Sequence, residues 1–330
     1  MNIAVIGAGI SGLSCATALQ NAGHVVQVFD KSRGVGGRMS TRKGDGWRAD
    51  HGAPYFEAHD RQFRAEVSRW CEAGAAARWQ PRLKVLKGGV WQDGDVHVDK
   101  FVGTPAMTSP ARLLASTLNV TLETTIKTLA RRADDNFRWH LQSAEQGWLE
   151  APFDAAVIAI PAPQALILLD DIGHPFGAQA RAVTMQGRWT LMMQFAEPIA
   201  LGWDAAVIHD GLLSWAARDS AKPGRLESET RETSETWVLH ANAEWSEANI
   251  ERPATEIAAA MIGAFLDIGG AQPLSSSAHR WRYAGCKHIS TPPALWDDMH
   301  RLGLCGDWLN GGQVEGAWLS GLALAKRIAG

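Results

Sequence analysis

The first thirty residues alternate short apolar runs with one helical segment. The apolar run Asn2–Ile6 ends directly before a glycine, which predicts a buried parallel strand. Residues 10–22 carry a helical pattern that stops at Gly23, and Val25–Phe29 is a second buried run of strand length. This opening therefore predicts a βαβ unit with parallel strands.

Helical and extended patterns alternate along the part that follows. A meander of three antiparallel strands is expected over about 121–153, because turn residues separate its three extended segments. Residues 154–160 predict one more buried strand, which Pro161 stops. Helices are expected at about 61–73, 110–118, 163–169 and 253–266.

The second half of the chain is rich in strand patterns until its last thirty residues. There, Leu302–Cys305 predicts a buried strand, followed by a glycine-rich turn and a helix over 314–328. Residues 219–235 carry many charges and almost no apolar side chains, so we expect a solvated hairpin loop without a functional role. Further strands are expected at 190–195, 212–217, 237–243 and 279–283.

The composition is typical of a soluble globular protein and argues against several kinds of partner. Of the 330 residues, 46% are hydrophobic and 20% are charged. The net charge of −3 provides no basic field for nucleic acid or an anionic membrane. No apolar run approaches the roughly 20 residues of a membrane span, and a structural motif that begins at Asn2 leaves no room for a secretory signal.

Cysteine spacing bears on the compartment and on metal binding. The four cysteines form neither a dithiol motif nor a zinc pattern, because they stand far apart at Cys15, Cys71, Cys286 and Cys305. We therefore expect a reduced, cytoplasmic protein without a metal site.

The first candidate site is the glycine-rich turn between the first strand and the first helix. Gly7, Gly9 and Gly12 follow the G-x-G-x-x-G pattern in the strand–turn–helix context that gives this pattern weight. The first glycine permits the tight turn, the second lets the backbone approach a diphosphate, and the third allows close helix–strand packing. We assign Gly7, Ala8, Gly9, Ser11 and Gly12 to a dinucleotide diphosphate at the helix N-terminus.

Asp30 ends the second strand at the distance where an acid accepts hydrogen bonds from an adenosine ribose. A carboxylate there disfavours a 2′-phosphate, so this primary site is not expected to hold NADP. Taken alone, the turn and the acid fit either NAD or FAD.

Two motifs that follow Asp30 separate these cofactors. Residues 31–38 end in Gly36, Gly37 and Arg38, where glycines admit an anion closely and the arginine neutralises it. Residues 50–56 read Asp-His-Gly-Ala-Pro-Tyr-Phe. With these residues the chain resembles the flavin-containing amine oxidase superfamily, and most closely its renalase branch.

The resemblance implies FAD contacts along the N-terminal half. In the superfamily, Gly-Gly-Arg binds the FAD diphosphate, and the segment Asp-x-Gly-Ala-x-Tyr passes under the isoalloxazine ring. Tyr55 would then lie in the substrate pocket, and the backbone of Ile126 would contact adenine. The cofactor-binding residues implied in this half are Lys31, Arg33, Gly36, Gly37, Arg38, His51, Gly52, Ala53, Pro54 and Ile126.

The C-terminal motif is the most specific part of the resemblance. Gly306 and Asp307 end a strand, and residues 311–317 begin the last helix, which is similar to the closing signature of the superfamily. Asp307 would hydrogen-bond the ribitol of FAD. The helix start would direct N–H groups at flavin N1 and the C2 carbonyl, where negative charge develops on reduction. The residues implied are Gly306, Asp307, Gln313, Val314, Glu315 and Ala317.

The substrate side offers fewer candidates. By the same resemblance Thr190, His240 and Trp281 are expected near the pocket above the flavin, and with Tyr55 they form the candidate catalytic set. Residues 187–193 contain no lysine, although many amine oxidases place one there, and the chain lacks paired tyrosines for an amine-binding cage. Both absences disfavour plain amine oxidation. Cations that could steer substrate phosphates are Arg188, Arg280, Arg282 and Lys287.

The renalase branch implies a different substrate. Its substrates are dihydronicotinamides reduced at C2 or C6, which release hydride to become aromatic NAD(P)⁺, so that no general base is needed; O₂ then yields hydrogen peroxide. Two alternatives remain open: an oxidase of small amines, and a flavin-dependent isomerase or non-catalytic flavin-binding protein. Gly285-Cys286 superficially matches a covalent attachment site, but its surroundings favour non-covalent FAD.

Together these motifs predict an α/β protein with the two-domain FAD-binding fold of the amine oxidase type. A Rossmann-like FAD domain is expected from about 1–60, 97–165 and 296–330. A substrate domain with a mixed sheet is expected from 61–96 and 166–295. The expected partners are a small-molecule substrate and O₂, bound where the domains meet.

Overall fold

The computed structural model describes residues 1–95, 97–225, 235–286 and 292–330. Its helices are α1 Ile10–Asn21, α2 Arg61–Glu72, α3 Ser109–Ala115, α4 Ala162–Asp171, α5 Gly177–Arg181, α6 Ala243–Ala248, α7 Ala254–Asp267 and α8 Gln313–Ala329. Its strands are β1 Asn2–Ile6, β2 Val25–Phe29, β3 Arg42–Lys43, β4 Arg48–Ala49, β5 Ala76–Trp79, β6 Leu83–Lys87, β7 Val90–Asp93, β8 Lys100–Gly103, β9 Asn119–Thr121, β10 Ile126–Arg132, β11 Arg138–Ser143, β12 Gly147–Trp148, β13 Ala155–Ile158, β14 Met185–Phe195, β15 Ala205–Ile208, β16 Leu213–Arg218, β17 Glu235–Ala241, β18 Ser275–Cys286, β19 Ala294–Asp297 and β20 Leu302–Cys305. Short 3₁₀ turns lie at Ala133–Asp135, Asp219–Ala221 and Asp307–Leu309.

A six-stranded sheet in the order β19-β20-β13-β1-β2-β9 carries the glycine-rich motifs. All its neighbouring strands are parallel except the edge pair of β19 and β20. The central strands β1 and β13 consist largely of Ile, Val and Ala, as expected for strands buried on both faces. Ile3 and Val5 face α1 and α8, whereas Ala4 and Ile6 face α4 and the meander β10-β11-β12.

Helices α1 and α8 come from opposite ends of the chain and touch through small residues. A Cβ atom at Gly321 would overlap the backbone oxygen of Ser11. The Ser14 hydroxyl also donates to the carbonyl of Trp318 at 2.9 Å. The last helix is therefore held directly against the first glycine turn.

A mixed seven-stranded sheet in the order β18-β14-β17-β16-β15-β6-β7 forms the second layer. One face packs on α7 through side chains such as Trp189 and Leu191. Because successive side chains on a strand alternate, Thr190 and Met192 of β14 point to the opposite face. Met192 packs there against Ala49, which brings this face towards the glycine-rich motifs.

The structure confirms most of the elements expected from the sequence. The βαβ opening, the meander and the final strand and helix are present, with ends shifted by a few residues. The strand predicted at 279–283 is longer, since β18 pairs with β14 along most of its length. The sequence patterns missed β3 to β8, β15, β19, α5 and α6, because these segments are short and β7 is exposed throughout.

The polar segment after β16 is not the solvated loop that we predicted. Asp219 is fully buried and Lys222 is 3% exposed, because acidic and basic side chains of this segment pair inside the protein. Residues 226–234 of the predicted loop lie outside the described ranges.

Candidate active site

The glycine turn after β1 is shaped to bring backbone close to a ligand. Gly7 adopts a φ of 112°, a conformation that favours glycine. A Cβ at Gly12 would overlap the Gly7 carbonyl oxygen, whereas one at Gly9 would meet open space. The buried Ser11 hydroxyl has no hydrogen-bond partner among the described residues. This turn thus leaves room and unpaired polar groups at the N-terminus of α1, as a diphosphate requires.

Asp30 lies beside this turn and partly holds it in place. One carboxylate oxygen accepts from Ala8 N at 2.6 Å and the other from Ser32 N at 2.8 Å. Each oxygen retains a lone pair that a ribose hydroxyl can use. The predicted neighbours Lys31 and Arg33 are exposed, and they lie in the loop that leads away from the carboxylate.

Ile126 begins β10 close to the same edge of the sheet. The segment before it is tied to this edge, since Thr124 N donates to Asp30 O at 2.9 Å and Glu123 N donates to Ser32 O at 3.1 Å. The backbone of Ile126 therefore lies near Asp30, and its contact with adenine stays a prediction.

The second glycine segment lies directly against the first. Gly36 N donates to Ala8 O at 2.9 Å, and Gly36 forms a bridge with Gly9. A Cβ at Gly37 would stand 3.4 Å from the Cα of Gly9. The two glycine-rich motifs therefore form one continuous cradle.

Arg38 joins this cradle to the C-terminal motif. Its guanidinium donates to both carboxylate oxygens of Asp307, at 2.8 and 2.5 Å, and to the carbonyl of Ala284 at 3.2 Å. The two motifs lie 269 positions apart in the sequence, yet they meet in this bidentate ion pair. The sequence assigned Arg38 to a diphosphate and Asp307 to ribitol, and the structure shows that these groups also contact each other.

The start of α8 follows two glycines with positive φ. Gly311 and Gly312 both have a φ of 74°, and Gln313 has a φ of 60°, which is unusual for a residue with a side chain. Val314 is buried one position later. This path turns the chain back towards Asp307, whose carbonyl accepts from Gly312 N at 2.8 Å, and the backbone N–H groups of the first helical turn have no partner within the helix.

The side chain of Glu315 has a different use from the predicted cofactor contact. Its two carboxylate oxygens accept from His59 N and Asp60 N, each at 2.8 Å. It therefore ties the segment before α2 to α8, and its backbone N–H is the group that remains available at the helix start. Ala317 lies one position beyond Gly316, where a Cβ would overlap the carbonyl oxygen of Asn310.

The loop that contains His51, Gly52, Ala53 and Pro54 packs against Arg38 and Trp281. A Cβ at Gly52 would overlap the backbone oxygen of Arg38, and Ala53 N donates to that oxygen at 2.9 Å. The indole N–H of Trp281 donates to His51 O at 2.8 Å, and the two rings stack at 5.1 Å. Trp281 therefore positions this loop, and the ring of His51 covers one face of the Trp281 indole.

A buried cluster of two acids and two bases lies behind this loop. Asp50 accepts from Thr41 Oγ1 at 2.6 Å, from Lys222 Nζ at 2.9 Å and from Arg225. Lys222 Nζ also stands 2.6 Å from Asp219 Oδ1. Burial alone would raise the pKa of Asp50, but the charges of the two bases lower that pKa to about 2, so the carboxylate is ionised.

Thr190, His240 and Trp215 form the wall opposite the cradle. Thr190 pairs with His240 across β14 and β17, and His240 pairs with Trp215 across β17 and β16. All three are buried. Among the described residues, Thr190 Oγ1, His240 Nε2 and Trp215 Nε1 have no hydrogen-bond partner. Three orphaned polar atoms on one sheet face are costly unless a ligand or water joins them.

Tyr55 connects this wall to the loop. Its ring centroid lies 5.2 Å from that of Trp215 and 6.4 Å from that of Trp79, and Lys100 Nζ stands 5.7 Å from it. Burial raises the pKa of Tyr55, so the phenol stays neutral at physiological pH. Contacts through Trp215 and His279 therefore join Tyr55, Thr190, His240 and Trp281 into one group of side chains, and the space that they border is called the cleft below.

Three histidines near the cleft are held neutral. Burial, followed by the charge of Arg188, lowers the pKa of His240 to about 3. Burial and the neighbouring His279 and Arg42 lower the pKa of His51 to about 3. For His279, burial and then Arg42 lower the pKa to about 4. None of these side chains offers a positive charge or a proton to a substrate at neutral pH.

Two of the predicted phosphate-steering cations lie on the wrong face of the sheet. Arg280 and Arg282 alternate with Trp281 along β18, so they point away from the cleft. Both pair with Glu251, at 2.9 and 2.5 Å. Lys287 lies outside the described residues, and Arg188 is treated below.

Sequence reasoning missed Asp50, Trp215, Lys222 and His279 as residues of this region. Asp50 stands in the motif that precedes His51, which is a usable sequence signal. Lys222 is a lysine near the cleft that comes from the turn after β16 and not from β14. Its position could not be read from sequence, because the segment around it has the composition of a loop.

Outside the cleft, His174, Asp297 and His300 form a cluster of metal-ligand type, with the ligand atoms within 4.8 Å of one another. His174 Nδ1 accepts from Phe176 N at 3.2 Å, so the proton of the ring is on Nε2, which donates to Asp297 at 3.1 Å. A metal would need the lone pair of that nitrogen. The cluster is therefore explained by its internal hydrogen bonds.

Two surface cavities lie among the described residues, and one of them shares His279 with the cleft. This cavity has a volume of about 390 Å³ and is also lined by Glu251 and Arg280, whereas the second, of about 230 Å³, adjoins His174. The glycine-rich motifs line neither of them. Within the described ranges, no helix combines the length and the hydrophobicity of a membrane-crossing segment.

The residues of the cradle fit FAD. The orphaned Ser11 hydroxyl, the unfilled space at Gly9 and the helix starts of α1 and α8 suit a dinucleotide that extends from Asp30 to the sheet wall. Cys286 was the one candidate for covalent attachment, and burial raises the pKa of its thiol, which lowers its nucleophilicity at neutral pH.

Comparison with known structures shows the same fold in several proteins that are named as oxidases. A protein from Exiguobacterium sp. 255-15, provisionally assigned as a protoporphyrinogen oxidase, superposes with a TM-score of 0.78 at 11% identity, covering 99% of this chain and 98% of that one. Cyclohexylamine oxidase from Brevibacterium oxydans IH-35A gives 0.72 at 13%, covering 99% and 98%. Putrescine oxidase bound to putrescine gives 0.71 at 13%, covering 99% of each chain. At these identities the likeness shows the fold alone.

Sequence comparisons extend this result. A 4,4'-diapophytoene desaturase from Staphylococcus aureus is 50% identical over 52 residues, which is 16% of this chain and 10% of the desaturase. The match thus spans a tenth of that relative. The sequence model of the NAD(P)-binding Rossmann-like domain matches residues 5–70, and that of flavin containing amine oxidoreductase matches residues 61–329. The chain therefore belongs to the flavin containing amine oxidoreductase family, with the two-layered FAD-binding fold described above, and it is an FAD-dependent oxidoreductase.

Proposed function

We propose that this protein is a renalase-type oxidase of the 2- and 6-dihydro isomers of NAD(P)H, which forms NAD(P)⁺ and, with O₂, hydrogen peroxide. We further propose that FAD is bound non-covalently by the cradle and that the cleft under β14 and β17 receives the dihydronicotinamide ring. FAD, when bound, would supply the two-electron acceptor for the hydride and the route of these electrons to O₂. The residues of the chain would bind and orient the cofactor and the substrate, and they would exclude water from the cleft.

The observation that carries this proposal is that Thr190, His240 and Trp215 in the wall of the cleft carry no charge at neutral pH. The stretch 187–193 of β14, where many amine oxidases have a lysine, contains none, and among the described residues Thr190 Oγ1 and Nε2 of the neutral His240 have no hydrogen-bond partner. These groups can hydrogen-bond a carboxamide but cannot take up the proton of an ammonium group at neutral pH. A dihydronicotinamide needs no base, because the loss of hydride alone makes its ring aromatic.

We assign roles to the remaining residues on the same basis. Gly7, Gly9, Gly12 and the backbone around Ser11 hold the diphosphate, together with Gly36, Gly37 and Arg38. Asp30 and the backbone of Ile126 hold the adenosine, and Asp307 the ribitol. The loop 51–54 and the start of α8 near Val314 face the isoalloxazine ring, and Tyr55 borders the substrate.

Amine oxidation is the second candidate, and the fold supports it. Two of the similar structures are oxidases of putrescine and cyclohexylamine. The pairing of Lys222 argues against amine oxidation, because this buried lysine forms ion pairs with Asp50 and Asp219 and is not available to a substrate. A flavin-dependent isomerase or a flavin-binding protein without catalysis is a candidate of another class, which predicts no peroxide with any reduced substrate.

Anaerobic stopped-flow mixing tests the proposal. The FAD-loaded protein is mixed separately with the 2-dihydro, 6-dihydro and ordinary 4-dihydro forms of NADH, and with putrescine and cyclohexylamine. We expect the 2- and 6-dihydro isomers to bleach the visible flavin band rapidly, while the 4-dihydro form and both amines leave it unchanged. Rapid bleaching by an amine and none by the isomers would refute the proposal.

The pH profile of the same reaction gives an independent check. With the pKa values of His51, His240 and His279 at about 3, 3 and 4, none of these side chains titrates near neutrality. The bleaching rate with the isomers should therefore be flat between about pH 6 and 9. An amine substrate must lose a proton before it is oxidised, so its rate would rise across that range.

A further inference from the structure

Arg188 stands out among the arginines near the cleft because it has no partner in the part of the chain that the structure describes. It lies half-buried on β14, and neither a hydrogen bond nor an ion pair joins its guanidinium to any described residue. The neighbouring arginines are all engaged. Arg38 pairs with Asp307, and Arg42 donates to Ser277 and His279. Those on β18, Arg280 and Arg282, pair with Glu251.

The position of Arg188 directs its charge into the cleft. It pairs with Trp281 across β14 and β18, and it precedes Thr190 by two residues, so the three side chains share one sheet face. The charge of Arg188 also contributes to the low pKa of His240, which places the two groups near each other. Gly187, on the other face, packs against Ile250, which follows α6.

The electrostatics of this face favour an anion. A cation that is withdrawn from water without a counter-ion is costly, and burial accordingly lowers the pKa of Arg188. The nearby described groups do not neutralise the positive charge of Arg188. His240 and His51 are neutral, and the acids Asp50 and Asp219 are already paired with Lys222 and Arg225. A positive substrate would be repelled here, whereas a phosphate would be stabilised.

We propose that Arg188 is the anion-binding residue of the substrate site and that it takes a phosphate oxygen of the dihydronicotinamide dinucleotide. This inference rests on the proposed function for the identity of the substrate. It adds that the substrate must carry a phosphate close to the reacting ring, so that the nucleoside form without phosphate is a poor substrate. A planar guanidinium suits such a contact, because it can donate two parallel hydrogen bonds to phosphate oxygens.

The test compares Arg188→Gln with Arg282→Gln, a matched change on the opposite face of the neighbouring strand. With the 6-dihydro isomer of NADH, we expect Arg188→Gln to raise KM by about 10- to 100-fold, the usual worth of a charged hydrogen bond, while kcat changes much less. The control should stay within about twofold. Arg188→Lys should recover part of the loss, since it restores the charge without the planar fork.

A binding measurement keeps this inference separate from the proposed function. NAD⁺ or ADP-ribose is titrated into the FAD-loaded protein, and the perturbation of the visible flavin band is recorded without turnover. Wild type and Arg282→Gln should bind both ligands alike, and Arg188→Gln should bind them about 10- to 100-fold more weakly. Unchanged binding and unchanged KM in Arg188→Gln would overturn the role of Arg188 even if the dihydronicotinamides bleach the flavin.

Two other outcomes have clear meanings. If no dihydronicotinamide is oxidised, but Arg188→Gln still weakens ADP-ribose binding, the proposed function fails and the anion site stands. If Arg188→Gln loses its FAD after gel filtration while Arg282→Gln keeps it, Arg188 serves the cofactor, and the inference is overturned.

Discussion

His51, His240 and His279 lie close to one another among aromatic and cationic side chains. Because all three are neutral in the folded protein, the free energy of unfolding depends on pH. An unfolded histidine has a pKa near 6.5, while burial and neighbouring cations lower these pKa values to about 3, 3 and 4 in the folded protein. Above about pH 6.5 both states are neutral, so the full stability is present. As pH falls below that value, the unfolded chain binds protons that the folded chain rejects, and stability is lost until about pH 3.

This linkage predicts the effect of His240→Asn. Each buried histidine should cost about 1.4 kcal/mol of unfolding free energy for each pH unit below 6.5. Urea unfolding should therefore show that the free energy of unfolding of the wild type decreases from pH 7.5 to pH 5.5. In His240→Asn this decrease should be about 1 kcal/mol smaller. His209→Asn, at an exposed position, should keep the wild-type difference. Equal losses in all three proteins would contradict a buried neutral His240.

At this scale, sequence reasoning found the residues that stand in motifs and missed those that only tertiary structure assembles. Thr190, His240 and Trp281 were assigned to the pocket by resemblance, and the structure brings them together. Trp215 was not found, because the alternation of side chains along a strand shows which residues share a face but not which face meets the cofactor. Lys222 was missed for another reason, since a polar segment is buried only when its charges are paired.

Among the elements, the close contact of α1 with α8 is the one that the cradle depends on most directly. Its interface uses glycine where a side chain would collide with backbone. A Cβ at Gly321, for example, would overlap the backbone oxygen of Ser11. The strand–turn–helix pattern predicted both helices from sequence, but their mutual contact could not be predicted, because it joins opposite ends of the chain. Short strands such as β7 and β15 carried too few residues for a recognisable period.

A pair of glycine-to-alanine changes tests this contact. Gly321→Ala should force α8 away from α1, lowering the free energy of unfolding by about 1–3 kcal/mol and reducing the FAD retained after gel filtration. Gly263, inside α7, faces open space, so Gly263→Ala should leave FAD content unchanged and stabilise by up to about 1 kcal/mol. Thermal unfolding and flavin absorbance measure both effects. Wild-type values for Gly321→Ala would argue against the interface described here.

For the whole molecule, the buried ionic cluster connects parts that are distant in sequence. Asp50 precedes the loop under the cleft, Asp219 and Lys222 follow β16 of the seven-stranded sheet, and Arg225 also donates to the carbonyl of Gly103 at 2.9 Å. The cluster fastens the sheet wall to the cradle. The exact division of the chain into an FAD domain and a substrate domain stays a prediction, because both layers share one continuous core.

Lys222→Met should reveal this connection. The change leaves Asp50 and Asp219 buried with Arg225 as their remaining cation, so we expect a loss of about 3–5 kcal/mol in the free energy of unfolding. Lys84→Met removes an exposed pair with Asp93 and should cost less than about 1 kcal/mol. Urea denaturation of the two variants gives the comparison. Similar losses in both would mean that the cluster does not hold the layers together.

The strand order of the six-stranded sheet also bears on how the protein is made. In the order of synthesis, β1 and α1 precede β20 and α8, which complete the same sheet and the same cradle but lie after residue 300. The glycine turn therefore stays without its C-terminal partner until these elements have been synthesised. Closure of this layer and of the cradle must wait for β20 and α8.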